Sequence, residues 1–228
     1  MLVGGLQKTS LLDYPKKIAA IVFTHGCNFR CPYCHNPELV EAYHESLDEK
    51  YVLDFLATRK GKLDGIVVTG GEPCLQKDLP DFMQQVKDMG FCIKLDTNGS
   101  QYPMLETVVN RGLADYIAMD IKASLKKYES VVCTNVNLQN IEKSIKLIMS
   151  SGADYEFRTT VTQELLTPDD FDEIGKMVSG AKKYFIQKFV ASKVLNQEFM
   201  EAHPFSDAEI EAAENYLKQH GVVEVNHR

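Results

Sequence analysis

Six short apolar runs recur along the chain, each separated from the next by a stretch long enough for one helix. They are residues 18–24 (IAAIVFT), 65–69 (GIVVT), 92–97 (CIKLDT), 116–121 (YIAMDI), 155–161 (YEFRTTV) and 184–190 (YFIQKFV). Runs this short, rich in β-branched and aromatic residues, read as strands. The intervening segments near 47–59, 77–89, 103–112, 138–150 and 168–179 carry apolar residues at helical spacing. Strands that alternate with helices are joined by crossovers and therefore pair in parallel. The expected fold class is α/β. The periodicity by itself leaves an open doubly wound sheet, a barrel and a partial barrel all standing.

Helix punctuation agrees. Ser46 with Glu49 and Ser206 with Glu209 have the spacing of capping boxes, and Thr167-Pro168 places a cap before a proline at a first helical position. No Pro-, Gly- or Ser-rich linker and no fixed-period repeat divides the chain. One domain is expected over 1–228, with a core of about 16–190 and a C-terminal helical extension of about 191–228.

The 228 residues are 44% hydrophobic and 25% charged, ordinary values for a globular protein. A chain of this length buries roughly 70–75% of its unfolded surface, so a core forms without disulfide staples. The net charge of −7 argues against a broad nucleic-acid footprint. No apolar run approaches the roughly 20 residues of a membrane span. MLVGGLQK at the start has neither the basic region nor the apolar length of a secretory signal. A cytoplasmic location with reduced thiols is expected.

Three of the six cysteines crowd into residues 27–34, as Cys27, Cys31 and Cys34 in a C-x3-C-x2-C pattern. Four chemistries compete. Cys31-Pro32-Tyr33-Cys34 is a glutaredoxin-like dithiol pattern, and Cys31-x-x-Cys34-His35 matches a c-type haem attachment. Cys27, Cys31, Cys34 and His35 could form a Cys3His zinc site, which would make the protein a zinc-stapled binding module. Three thiolates could also hold three irons of a [4Fe–4S] cluster. The dithiol reading leaves Cys27 unused, and haem attachment calls for export. Adjacent Cys34 and His35 side chains diverge, which is awkward for zinc. Three cysteines on a four-iron cluster leave one iron open, and therefore reactive. Other unusual residues share the same placement. TGGEP (69–73), DTNG (96–99) and the Asp120/Lys122 pair all follow strands, at the end where parallel α/β folds collect ligands.

CNFRCPYC resembles the C-x3-C-x-aromatic-C signature of the radical S-adenosylmethionine (SAM) superfamily, with Tyr33 as the aromatic. TGGEP resembles that family's GGEP loop, and the order of motifs resembles its partial (β/α)6 barrel. The resemblance spans about residues 8–190. TSLLDYPKKIAAIVFTHGCNFRCPYCHNPEL, KLDTNG and YIAMDIKA are similar to glycyl-radical activases, both those of anaerobic ribonucleoside-triphosphate reductase and those of pyruvate formate-lyase.

The resemblance implies one [4Fe–4S] cluster on Cys27, Cys31 and Cys34. Its open iron would be chelated by SAM, which is cleaved reductively to a 5′-deoxyadenosyl radical that abstracts hydrogen from a partner's glycine. It further implies SAM contacts from Tyr33, Asn36, Gly70, Gly71, Glu72, Asp96, Asn98, Lys122 and Arg158, with Glu72 accepting from the SAM ammonium. A monovalent cation would sit beside Asp96, Thr97, the Ala118 carbonyl and Asp120. The implied partners are a glycyl-radical enzyme, foremost anaerobic ribonucleotide reductase, and a flavodoxin- or ferredoxin-type electron donor. A radical SAM enzyme acting on a small molecule is the nearest rival. The strand at 184–190 lacks the histidine that approaches the ribose in pyruvate formate-lyase activases, leaving Gln187 as the candidate. Residues 39–64 lack the cysteines of a ferredoxin-like insertion.

The same residues have plainer readings. A glycine pair after a strand is most often a tight turn. At Gly70-Gly71 the expectation is instead that missing side chains let backbone approach a ligand. Lys94, Asp96 and Asn98 alternate onto one face of a strand, as do Glu156, Arg158 and Thr160. Buried charges of this kind are costly unless paired, so either a salt-bridge network or an ionic ligand completes them. Cys74, Cys92 and Cys133 read as small packing residues, with Cys74 near the site, and His35 as a support of the cysteine loop.

Overall fold

The structure is a computed structural model that describes residues 1–41 and 46–228. Its eight strands form one sheet in sequence order. They are β1 (Val3–Ser10), β2 (Ala19–Thr24), β3 (Gly65–Gly70), β4 (Cys92–Thr97), β5 (Tyr116–Asp120), β6 (Asp154–Val161), β7 (Lys183–Lys188) and β8 (Glu224–His227). β1 runs antiparallel to β2, and every later pair is parallel. β1 and β8 are the two edges and do not pair with each other, so the barrel is partial. The six expected strands all form, within a residue or two of their predicted ends.

Helices α1 (Pro37–Val40), α2 (Glu49–Ala57), α3 (Leu79–Asp88), α4 (Tyr102–Asn110), α5 (Tyr128–Val132), α6 (Leu138–Ser150), α7 (Asp170–Met177) and α8 (Asp207–Gln219) fill the crossovers. Alternation along the strands decides which residues meet them. Ala20, Val22, Ile66, Val68, Ile93, Leu95, Ile117, Met119 and Phe157 point to one face and join the main core with Leu56, Phe82, Val86, Leu105, Ile145 and Phe171. On the concave face Ala19, Ile21, Val67, Tyr116 and Ala118 pack under Tyr14 in a smaller cluster. Further up that face the inward side chains become polar, and there the site begins.

Several local expectations are corrected. β1 was not expected, because an edge strand with a solvent-facing side needs no apolar alternation, and Gln7, Lys8 and Thr9 are exposed. The C-terminal extension is not purely helical, since it ends in β8, which pairs with β7. Its Ser206–Glu209 capping box forms as expected. The box at Ser46–Glu49 does not. Asp48 caps α2 instead, accepting from the Lys50 amide. Thr167 does not cap α7. Its amide and hydroxyl both donate to the Asp170 carboxylate, and the helix starts later. Among the described residues no helix is long and apolar enough to cross a membrane.

Candidate functional site

A cavity of about 280 Å³ opens at the C-terminal ends of β2 to β7. It is walled by Cys27, Cys31, Tyr33, Cys34 and Asn36 from the loop after β2, and by Gly70, Gly71 and Glu72 after β3. Asp96, Thr97 and Asn98 follow from β4, Asp120 and Lys122 from β5, Arg158 from β6 and Gln187 from β7. Of the residues singled out from the sequence, Ala118 lies apart, fully buried in mid-strand in the lower cluster.

The cysteine loop is held by its backbone. The amides of Gly26 and Cys27 donate to the carbonyls of Leu39 (2.8 Å) and Val40 (3.0 Å) at the end of α1, and the Arg30 amide donates to Val132 at the end of α5 (2.9 Å). The Arg30 guanidinium closes the turn on the Cys27 carbonyl at 2.6 Å. The Phe29 amide donates to the Cys27 sulfur at 3.4 Å. Burial pushes the Cys27 thiol up to about 12 and Cys31 up to about 11, a rise that a metal taking the proton's place would offset.

Among the described residues no three His, Cys, Asp or Glu side chains gather around one point as a single metal ion requires. His35 is engaged elsewhere, with Nε2 3.0 Å from the Val190 carbonyl and its ring stacked on Phe189. The zinc reading loses its fourth ligand. The donor set does fit a [4Fe–4S] cluster, since three soft thiols line one cavity wall with room in front of them. The Tyr33 hydroxyl on the same wall is buried without a hydrogen-bond partner.

The two glycines line the cavity and also permit a close approach within the protein. Gly70 has φ +118°, and a Cβ there would lie 2.3 Å from the Thr24 amide nitrogen. A Cβ on Gly71 would lie 2.1 Å from the Gly26 carbonyl oxygen. The missing side chains let this loop lie directly against the cysteine loop, where the Glu72 amide donates to that same carbonyl at 2.8 Å.

Glu72 is 1% exposed and lines the cavity. One oxygen accepts from the Cys74 amide (3.0 Å) and the Thr97 hydroxyl (2.7 Å), and the other from the Asn98 amide (2.6 Å). Burial raises its pKa, and these donors oppose the rise. Its carboxylate ties the β3 loop to the β4 loop and keeps acceptor capacity beyond these three donors. A third tie joins the cysteine loop to the β4 loop, where Asn98 donates to Asn28 at 3.0 Å and Asn28 to Ser100 at 2.9 Å.

The floor is an ion network. Arg158 Nε donates to Asp120 (2.7 Å) and Nη1 to Asp96 (3.3 Å). Lys94 lies 2.8 Å from the other Asp96 oxygen, and Lys122 donates to Asp120 at 2.9 Å. Burial would raise both aspartates, but Arg158 with Lys94 holds Asp96 below its ordinary range, and Arg158 with Lys122 does the same for Asp120. Conversely burial would lower Lys122, and Asp120 raises it instead. Both plain readings therefore hold together, because the charges are paired internally and still wall a cavity. Asp96 and Asp120, beside which a monovalent cation is implied, are each paired here with protein cations. Thr69, in the TGGEP motif, and Thr160, on the Arg158 face, were given no role from the sequence and also line the wall. Thr69 donates to Asp96 at 3.3 Å, and strand alternation places each on the inward face.

Comparison with known proteins gives the geometry its context. The profile of the radical SAM superfamily matches residues 21–178. A Methanocaldococcus jannaschii protein named as a glycyl-radical enzyme activating enzyme is 34% identical over 206 residues, covering 87% of this chain and 84% of its own. The pyruvate formate-lyase-activating enzyme of Clostridium pasteurianum is 32% identical over 126 residues, covering 53% of this chain and 52% of its own. Among solved structures, a domain of pyruvate-formate lyase-activating enzyme from Bacteroides vulgatus superposes with a TM-score of 0.55 at 14% identity, over 71% of this chain and 98% of that one.

Proposed function

Because the chain belongs to the radical SAM superfamily, we propose that it is a glycyl-radical activase whose protein substrate is an anaerobic ribonucleoside-triphosphate reductase. The observation that carries the reading is the meeting of three cysteines, the β3 and β4 loops and a mixed-sign ionic floor around one cavity at the strand ends. When bound, the cluster and SAM supply one-electron cleavage of SAM to a 5′-deoxyadenosyl radical, which takes hydrogen from a glycine Cα of the partner.

The chain's own residues hold and orient. Cys27, Cys31 and Cys34 would ligate the cluster. Asn36, Asn98 and the backbone of Gly70 and Gly71 would line the path of the amino-acid end of SAM. Asp96, Asp120, Lys122 and Arg158 present both signs of charge to a ligand that carries an ammonium, a carboxylate and a sulfonium. Tyr33 and Gln187, which line the same cavity, would be candidates for contact with SAM, Gln187 at the ribose. The apolar core beneath excludes water from a reactive centre. No acid–base pair is needed, and the paired carboxylates offer none free for that role. A flavodoxin- or ferredoxin-type protein would deliver the electron, and a monovalent cation would enter only with SAM, when its carboxylate can replace a lost ion pair.

The test is anaerobic reconstitution followed by turnover. The expected product carries about four irons and four sulfides per chain and releases 5′-deoxyadenosine and methionine from SAM. With the reductase present, it produces a glycine-centred radical by electron paramagnetic resonance. Deuterium placed on that glycine's Cα should appear in 5′-deoxyadenosine. Label transferred instead from a nucleoside or other metabolite, with no protein radical, would assign the protein to small-molecule chemistry.

A further inference from the structure

Below the cavity floor lies a buried carboxylate to which the reading above gives no task. Glu156 on β6 is 2% exposed and sits two residues before Arg158, on the same inward face. One of its oxygens accepts from the Tyr116 hydroxyl at 2.7 Å. The other accepts from Arg228 at 3.2 Å and lies 3.9 Å from Nη1 of Arg158. Arg228 follows β8, outside the segment matched by the family profile. Its guanidinium lies 4.5 Å from the centre of the Phe185 ring on β7.

Arg158 is thus shared among three carboxylates, Asp120 and Asp96 above and Glu156 below. The two above line the cavity and the one below does not. A guanidinium in this position takes its height from the balance between them. Without the Glu156 charge, the carboxylates left to Arg158 are those of Asp96 and Asp120, both on the cavity side. Buried charges also leave a large penalty when a partner is withdrawn, so the arrangement responds to loss of any one member.

We propose that Glu156, braced by Tyr116 and by Arg228 from the eighth strand, is a positioning residue that holds Arg158 down and keeps the SAM cavity open. The proposal rests on the SAM reading of the cavity and adds to it a role for β8.

The experiment is a double-substitution cycle on the reconstituted full chain, reading iron content and equilibrium SAM affinity. Glu156→Gln keeps the size of the side chain while removing the charge; its single oxygen can accept from Arg228 and its NH2 can donate to the Tyr116 hydroxyl. It is expected to leave iron content unchanged and raise the SAM Kd about tenfold, a coupling of the usual size for contacting charges. In an Arg158→Ala background the same change is expected to alter Kd less than about twofold, because the group it positions is gone. Arg228→Ala, at a half-exposed side chain, is a gentler probe that should shift Kd the same way by about threefold.

Equal SAM affinity in wild type, Glu156→Gln and Arg228→Ala would overturn the positioning role, as would an undiminished Glu156→Gln effect in the Arg158→Ala background. Parallel loss of iron and SAM would make Glu156 a general scaffold residue and overturn it too. A wild-type chain that loads iron but binds no SAM would instead sink the functional reading itself.

Discussion

Glu72 shows what one residue's surroundings do to a motif. Read in the sequence, it is an acid in a ligand-binding loop. In the fold its two oxygens meet three protein donors from two loops. Glu72→Gln would turn an amide NH2 toward at least one of those donors. It should lower stability by about 1–3 kcal/mol, the cost of unsatisfied buried polar groups, and unfolding in urea at pH 7 measures it. A Gln variant as stable as wild type would show that the clamp on the two loops contributes nothing to stability. Cys27, Cys31 and Cys34 line the cavity, whereas Cys133, expected to pack as a small apolar residue, is exposed just after α5. Cys74 is 3% exposed, with the Thr97 hydroxyl 3.6 Å from its sulfur, and is not part of the cavity wall. Iron analysis after reconstitution should find none in Cys31→Ala and a full complement in Cys74→Ala. The reverse pattern would move the cluster.

At the scale of elements, the β3 loop and the cysteine loop are a single packed unit. Gly71→Ala puts a methyl group where the Gly26 carbonyl already is, and neither backbone can yield cheaply. Iron loading should therefore fall along with SAM binding, and a variant with full iron and weak SAM affinity would show that Gly71 faces the ligand after all. The sequence could place the glycine pair at a strand end but not say which backbone it touches, because that depends on two loops 40-odd residues apart. The same boundary separates what was legible from what was not. The six inner strands and five of the helices carry their own periodicity, so they could be read directly. β1 and β8 carry none, being edge strands whose partners supply their order. Asp48 outcompetes Ser46 as a cap through a local geometry that spacing rules do not see. In the site, residue types on strand ends were readable, whereas the pairings of Arg158 with Asp96, Asp120 and Glu156 span three strands and emerge only once the register is set.

For the whole molecule, the ionic floor ties global stability to pH. Asp96 and Asp120 are held below their ordinary value of 3.8 in the folded chain. A carboxylate depressed on folding contributes stability that is complete above its unfolded pKa and is lost as pH falls through its folded one. The urea midpoint should therefore drop as pH is lowered from about 5 toward 2. Asp120→Asn should begin from a lower midpoint and show a shallower slope across that window. An unchanged slope would place the acid sensitivity elsewhere. The tethering of the cysteine loop to the ends of α1 and α5 and to the β3 loop reaches furthest. Those bonds join backbone to backbone and use none of the thiols, so the loop is expected to order while the chain folds. Cluster insertion would then be a late maturation step on a native polypeptide. The far-ultraviolet circular dichroism of the iron-free and iron-loaded forms should coincide, and a scaffold protein could deliver the cluster without any need for an unfolded recipient.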